Sequence, residues 1–197
     1  MKKLFSAVIA AIMVLTISSI ALAKDAPLRV AMVPIQFQNS SINDSAVKDV
    51  TRQLERAAHV PLNGVLERVD YIDQHDVYTA YDKCCSDAMS KDCRYSPKYL
   101  TEDIAKELDA DIVILPIVRN TYNVYYYYGW YTQQISSAEF VMYIYDAAAG
   151  DTQKYKSSNR YSDQISINNN AESLLKSCVY KVIQKSDISH MLLASKD

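Results

Sequence analysis

We predict an α/β fold in which a mixed β-sheet of about five strands is flanked by helices. Two segments of the 197-residue sequence lead to this prediction. In residues 96–118 an amphipathic helix pattern runs directly into the apolar segment DIVILPIV, which is typical of a strand covered on both faces. In residues 138–159 apolar and polar side chains alternate around the turn DAAAGD, which predicts a β-hairpin. The predicted order of elements is β-α-β-α-α-β-β-β-α.

The amino-terminal half supplies two strands and two helices. We predict a strand over Arg29 to Ile35, with Pro34 at its end or on an unpaired side because proline cannot donate to a ladder. Residues 65–85 predict a second strand followed by a polar helix. Asp44 or Ser45 would cap the first helix. That helix is predicted from apolar residues at helical spacing, namely Val47, Val50, Leu54 and Ala57.

The carboxy-terminal half has clearer helix starts. Ser96 as N-cap and Pro97 as first helical residue predict the third helix, because the missing N–H of proline costs nothing at that position. The segment Asn169 to Glu172 predicts a capping box at the start of the last helix. Its apolar face is predicted to comprise Leu174, Leu175, Cys178, Val182 and Ile183.

The first 23 residues have the pattern of a secretory signal peptide. Lys2 and Lys3 precede an uncharged run from Leu4 to Ile20, and small residues at Ala21 and Ala23 provide a cleavage site. We predict cleavage after Ala23, which leaves residues 24–197 as a single exported α/β domain, periplasmic or secreted, without a membrane span. An uncleaved anchor is the alternative, since about 20 apolar residues can cross a bilayer. No cysteine stands at the cleavage point for lipid attachment.

The charge of the mature chain argues against two classes of partner. Removing Lys2 and Lys3 leaves 19 basic residues against 23 acidic residues, a net charge of −4. Nucleic-acid binding requires cations that neutralise phosphates, and binding to anionic lipid requires a polybasic run. The sequence has neither feature, so we expect no nucleic-acid partner.

All four cysteines, Cys84, Cys85, Cys93 and Cys178, lie in the exported part. An even number in an oxidising compartment predicts disulfides. We expect Cys84 or Cys85 to close a short loop with Cys93, and the other to reach Cys178 if that loop lies over the last helix. A zinc site is the alternative, but the chain has no CxxC pair.

The sequence carries no catalytic signature, and we predict no enzyme activity, no cofactor and no metal. Three glycines are too few for a phosphate-binding loop, and the three histidines fall in separate elements. The cluster Asp73 to Asp76 is interpreted as a solvated helix start. Asp109 and Asp111 are explained by the turn between the third helix and its strand.

Several of these segments resemble one periplasmic α/β domain class. The strand RVAMVPIQF, the junction LTEDIAKELDADIVILPIV and the strand ending in YIYDAAAGD are similar to curli-secretion (CsgG-like) lipoproteins, LpoB-like activators of penicillin-binding proteins and the TolB amino-terminal domain. The resemblance covers Arg29 to about Ile183. It implies a non-enzymatic role in binding envelope proteins or building secretion complexes. It transfers no functional residue, and the lipid-anchoring cysteine of two branches is absent.

The strongest chemical signal is the segment NVYYYYGWYTQQ, which contains Tyr125, Tyr126, Tyr127, Tyr128, Trp130 and Tyr131. In an extended chain, Tyr125 and Tyr127 point one way while Tyr126, Tyr128 and Trp130 point the other. One interpretation is structural, with one row on the core and the other beneath a helix or the cysteine loop. The functional interpretations are a protein-binding edge, a glycan platform and a hairpin tip at a membrane interface.

From these observations we expect a non-enzymatic envelope binding or assembly protein that recognises a partner protein through this tyrosine-rich region. One alternative is a protein that binds carbohydrate or peptidoglycan, or hydrolyses it. The other is a purely structural secreted domain.

Overall fold

A computed structural model describes residues 26–66, 68–90 and 96–193 of the chain. Within these residues a mixed sheet of six strands lies between two layers of helices. The predicted fold class is therefore confirmed. The predicted signal peptide, residues 1–23, lies outside the described residues, as do Cys93 and the loop around it. Within the described part, no helix is both long enough and apolar enough to span a bilayer.

The strands are β1 Leu28–Met32, β2 Gln36–Gln38, β3 Val69–Tyr71, β4 Ile112–Tyr127, β5 Thr132–Asp146 and β6 Asp151–Gln164. The helices are α1 Asp44–Ala57, α2 Gln74–Ser90, α3 Pro97–Leu108, α4 Ala171–Ser186 and α5 Ile188–Leu193. The predicted order is confirmed with two additions, β2 and α5, which the sequence pattern does not predict.

The strand order is β3-β1-β4-β5-β6, and β2 also pairs with β4. The β1–β3, β1–β4 and β2–β4 pairs are parallel, whereas the β4–β5 and β5–β6 pairs are antiparallel. Strands β1 and β2 lie in line along β4, since Met32 pairs with Ile114 and Gln36 pairs with Ile117. The break between them contains Pro34, which has no N–H to offer the ladder. Strand β1 ends at Met32, three residues before the predicted end at Ile35, and Pro34 lies unpaired just after that end, in keeping with the expectation that it sits at the strand's end or on an unpaired side.

Two apolar cores lie on opposite faces of the sheet. Helices α1, α4 and α5 pack on one face, where Val50, Leu175 and Phe140 are buried. Helices α2 and α3 pack on the other, where Val77, Ile104 and Leu115 are buried. Alternate residues of β4 and β5 therefore enter different cores, as the strand period requires.

The helix starts are correct to within one residue. Asn43 caps α1 by accepting a hydrogen bond from Ala46 N–H at 2.8 Å, so the expectation of Asp44 or Ser45 is wrong. Asn170 caps α4 by accepting from Ser173 N–H at 2.8 Å, one residue after the predicted box. Ser96 occupies the N-cap position of α3 as predicted, although its side chain makes no capping hydrogen bond.

Asp109 and Asp111 have the structural roles that we expected. Asp109 ends α3 in the left-handed region, and its carboxylate lies 3.0 Å from the Arg29 guanidinium. The carboxylate of Asp111 accepts the Arg29 backbone N–H at 2.9 Å. These contacts fix the junction between α3 and β4 to the edge of β1.

Candidate functional site

The six predicted binding residues lie in one β-hairpin. The hairpin is made by the distal half of β4 (residues 122–127), a tight turn and Tyr131. We call residues 122–131 the tyrosine hairpin. Tyr128 N–H donates to the Tyr131 carbonyl at 2.8 Å, and Trp130 N–H donates to the Tyr128 carbonyl at 3.0 Å. Gly129 has a φ of +75°, which residues with a Cβ rarely adopt. The tightness of the turn therefore depends on this glycine.

The rings of the tyrosine hairpin are exposed on both faces of the strand. Exposure of the side chains in residues 125–130 ranges from 43% at Tyr125 to 97% at Trp130. Tyr131 is half-buried and stacks on Tyr128, with ring centroids 6.1 Å apart. The structural interpretation is wrong in two parts, because neither row enters the core and no described helix covers the other row. Its third part, packing beneath the cysteine loop, concerns residues outside the described part of the chain. Trp130 lies in the turn and does not continue a row.

The exposure follows from a difference in length between strands and helices. Strand β4 has 16 residues, which span about 50 Å, whereas the 12 residues of α3 span about 18 Å. The ion pair between Lys98 and Asp151 places α3 over the start of β6, which is the far end of the sheet from the hairpin. No described helix reaches the distal half of β4 on that face.

The two rows face different layers of the sandwich. Tyr125 pairs with Gln134, which is buried on the α4 side, so Tyr125 and Tyr127 belong to that face. Tyr126 pairs with Gln133 and belongs to the α3 side. The strand thus presents aromatic surface in both directions.

A buried polar network anchors the hairpin to the start of α4. The Asn123 carboxamide oxygen accepts from Ser136 Oγ at 2.7 Å and from Ala171 N–H at 2.8 Å. Gln134, which is 1% exposed, donates to Ser136 Oγ at 2.7 Å and to the Asn169 carbonyl at 3.2 Å. Its oxygen accepts from Ser166 N–H at 2.8 Å. The hairpin is therefore held at a fixed angle to the sandwich.

One edge of the distal half of β4 is open. The last contact on that edge is the Ser41 N–H bond to the Thr121 carbonyl at 2.7 Å, and no described strand pairs beyond it. Because Tyr128 bonds inward to β5, alternation of the antiparallel ladder directs the backbone groups of Asn123, Tyr125 and Tyr127 outward. We call residues 122–127 the open edge of β4.

The open edge has none of the charges that usually protect a sheet edge. Residues 120–138 contain no Asp, Glu, Lys or Arg. The other long edge of the sheet, β6, carries Lys154, Lys156 and Arg160. Native proteins use such charges to prevent unwanted strand pairing. The contrast indicates that the edge of β4 is available for pairing while β6 is protected.

The described cysteines do not form the bridge to Cys178 that we predicted. Cys178 is buried in the α4 core, whereas Cys84 and Cys85 lie on α2 against the opposite core. The sheet separates the two groups, so that pairing is wrong. Burial raises the pKa of the Cys178 thiol, and burial is also the main cause of the raised pKa of Cys84. A bridge to Cys93 lies outside the described residues.

The remaining polar candidates have structural roles. The Asp73 carboxylate accepts from His75 N–H at 2.8 Å at the start of α2, as its interpretation as a helix start predicts. Among the described residues, no three His, Cys, Asp or Glu side chains are grouped so that they could hold a metal ion.

Four contributors to the site were missed by sequence reasoning. Tyr122 and Val124 are exposed on the same strand, and Asn123 and Gln134 form its buried anchor. The uncharged run from residue 120 to 138 extends beyond the tyrosines and was the signal that could have included them. The buried amides gave no local signal, because their backbone partners at Ser166, Asn169 and Ala171 lie more than 30 residues away.

No protein-family model matches the chain, and no curated protein matches it. Among solved structures, the chain is similar to the hypothetical protein CT253 from Chlamydia trachomatis, with 12% identity over 86% of this chain and 100% of that one and a TM-score of 0.45. It is similar to lipoprotein GNA1162 from Neisseria meningitidis, with 15% identity, coverage of 81% and 98%, and a TM-score of 0.40. It is also similar to the LpoB C-terminal domain from Salmonella enterica, with 12% identity, coverage of 75% and 92%, and a TM-score of 0.34. LpoB belongs to the domain class that the sequence resembles, and the membership of this chain in that class stays a prediction.

Proposed function

We propose that this protein is an exported, non-enzymatic envelope protein that binds another envelope protein through the tyrosine hairpin. The single observation that carries the proposal is the open edge of β4, which is uncharged, aromatic and unpaired among the described residues. The signal-peptide pattern supports the compartment. The partner would contribute an extended segment that pairs with this edge as an additional strand.

The open edge offers both affinity and selectivity for such a segment. The outward N–H and C=O groups of Asn123, Tyr125 and Tyr127 provide up to six backbone hydrogen bonds, each contributing about 1 kcal/mol net. The rings on both faces of the strand flank the added segment. Tyr and Trp are enriched among residues that dominate binding energy, because they bury large rigid surfaces at small entropic cost.

The first test replaces Tyr126, Tyr128 and Trp130 together with serine. We expect capture of the partner in a cross-linking pull-down to be lost. One hot-spot ring at about 2 kcal/mol corresponds to about a thirtyfold loss of affinity, so the loss of all three rings together exceeds a hundredfold. Far-UV circular dichroism should be unchanged, since these side chains are exposed and contribute little to folding.

The matched control replaces three exposed tyrosines elsewhere, Tyr78, Tyr99 and Tyr180, with serine. This variant loses the same number of rings from helical surfaces and should capture the partner normally. Equal capture by the two triple variants would reject the proposed site. Loss of secondary structure in the hairpin variant would indicate a structural role for its rings.

Glycan binding is the second candidate function, favoured by one observation at the tip of the hairpin. Trp130 is 97% exposed and the Tyr128–Tyr131 stack lies beside it, so flat aromatic faces are available to sugar rings. Co-sedimentation with purified peptidoglycan that depends on Trp130 would support this candidate. Release of soluble fragments would make the protein a hydrolase and would contradict the non-enzymatic proposal.

A further inference from the structure

A crevice lies at the carboxyl ends of β1 and β3, on the α1 side of the sheet. Its volume is about 380 Å³, within the range of small-molecule sites. Its walls come from the strand break after β1, the middle of α1 and the residues after β3. The main apolar contributors are Met32, Ile35, Val47, Val60, Tyr71 and Ile72.

The topology explains why a crevice forms there. Strands β1 and β3 are parallel neighbours, yet the chain leaves β1 toward α1 on one face and leaves β3 toward α2 on the other. Adjacent parallel strands whose connections diverge leave a gap beyond their carboxyl ends, where ligands of α/β proteins commonly bind. The break at Pro34 widens this gap, because β1 stops at Met32 and pairing resumes only at Gln36.

The polar groups of the crevice favour a ligand that donates hydrogen bonds. Three lining side chains already donate: Thr51 Oγ1 to the Val47 carbonyl at 3.0 Å, Gln74 Nε2 to the Met32 carbonyl at 3.1 Å, and the Tyr71 hydroxyl to the Ala58 carbonyl. Burial raises the pKa of Tyr71, so this phenol stays neutral.

Glu55 supplies the one formal charge of the described lining. Glu55 is half-buried, and no cation among the described residues lies within ion-pair distance of its carboxylate. An apolar cleft with one unpaired carboxylate and engaged donors is complementary to a molecule with an apolar body and one ammonium group. We infer that the crevice binds a small amphiphilic amine, with the ammonium at Glu55 and the apolar body against Met32, Ile35 and Val60.

The experiment titrates four probes into the purified protein by isothermal titration calorimetry: n-hexylamine, 1-hexanol, hexanoate and ethylamine. We expect hexylamine to bind about tenfold more tightly than hexanol, because a hydrogen bond to a charged group is worth about 1.5–3 kcal/mol, here reduced by partial exposure. Hexanoate should bind more weakly than hexanol. Ethylamine should not bind measurably, since it lacks the apolar body. If ethylamine bound as tightly as hexylamine, the binding would be surface ion pairing and the inference would be overturned.

Two variants locate the binding to the crevice. Glu55→Gln, at a half-buried surface position, should lower hexylamine affinity to that of hexanol and leave hexanol binding unchanged. Val47→Trp should fill the crevice and abolish both, whereas Val65→Trp, in an exposed loop outside the lining, should change neither. The inference is overturned if wild-type protein binds hexanoate as well as hexylamine, if it binds none of the probes, or if Glu55→Gln leaves hexylamine affinity unchanged. The Glu55→Gln result decides the matter even if Val47→Trp does not fold.

Discussion

Replacing Gln134 with alanine should destabilise the fold through the network that anchors the tyrosine hairpin. Gln134 is 1% exposed and makes three hydrogen bonds, to Ser136 Oγ, the Asn169 carbonyl and Ser166 N–H. At about 1 kcal/mol for each hydrogen bond, the loss is about 3 kcal/mol. For a domain of this size, that loss lowers the melting temperature by about 6–12 °C.

The matched control is Gln133→Ala, one residue earlier on the same strand. Gln133 is half-buried and donates one exposed hydrogen bond to Ser162 Oγ at 3.1 Å. Its replacement should change the free energy of unfolding by no more than about 0.5 kcal/mol. Urea denaturation followed by circular dichroism measures both variants. Equal midpoints for the two would refute the argument that the buried amide network holds the hairpin to α4.

Three further predictions concern charge, backbone and thiol chemistry. Lys176, 2.6 Å from Asp49, lowers the pKa of that carboxyl below its ordinary value of 3.8. The ion pair therefore stabilises the fold fully above the unfolded-state pKa of Asp49, and this stabilisation is lost as pH falls through the folded-state pKa. Asp49→Asn should make the free energy of unfolding less steeply dependent on pH in an acid titration, and an unchanged titration would contradict this. Gly129→Ala should cost about 1 kcal/mol in chemical denaturation because Gly129 has a φ of +75°, and a neutral effect would mean that the turn relaxes. Burial and a raised pKa should keep Cys178 unreactive toward iodoacetamide at pH 8 until the protein unfolds; mass spectrometry showing rapid labelling of native Cys178 would contradict its place in the core.

The fold was predictable wherever a strong local pattern met a sharp boundary. The start of α3 at Pro97 and the buried strand after it were read correctly because Pro fixes a helix start and a continuous apolar run requires two covering layers. Strand β2 was missed because three residues, QFQ, carry no period. The caps at Asn43 and Asn170 were missed by one residue, because each has a neighbouring side chain that can also accept the hydrogen bond.

The site was only partly predictable because its properties depend on lengths and on distant contacts. The sequence located the aromatic rings, but their exposure depends on how far β4 extends beyond α3 and α4. The positions of Cys84 and Cys178 on opposite faces depend on which way each connection crosses the sheet. No local pattern of residues encodes either property.

The most direct test of strand addition compares Tyr125→Pro with Tyr125→Ser. Both variants lose the same exposed ring, but only the proline variant also loses the backbone N–H that points toward the open edge. The ladder to β5 does not use that N–H, so both variants should fold. We predict that partner capture by the proline variant is about fivefold weaker than capture by the serine variant, because one backbone hydrogen bond contributes about 1 kcal/mol. Equal capture by the two would contradict binding through the open edge of β4.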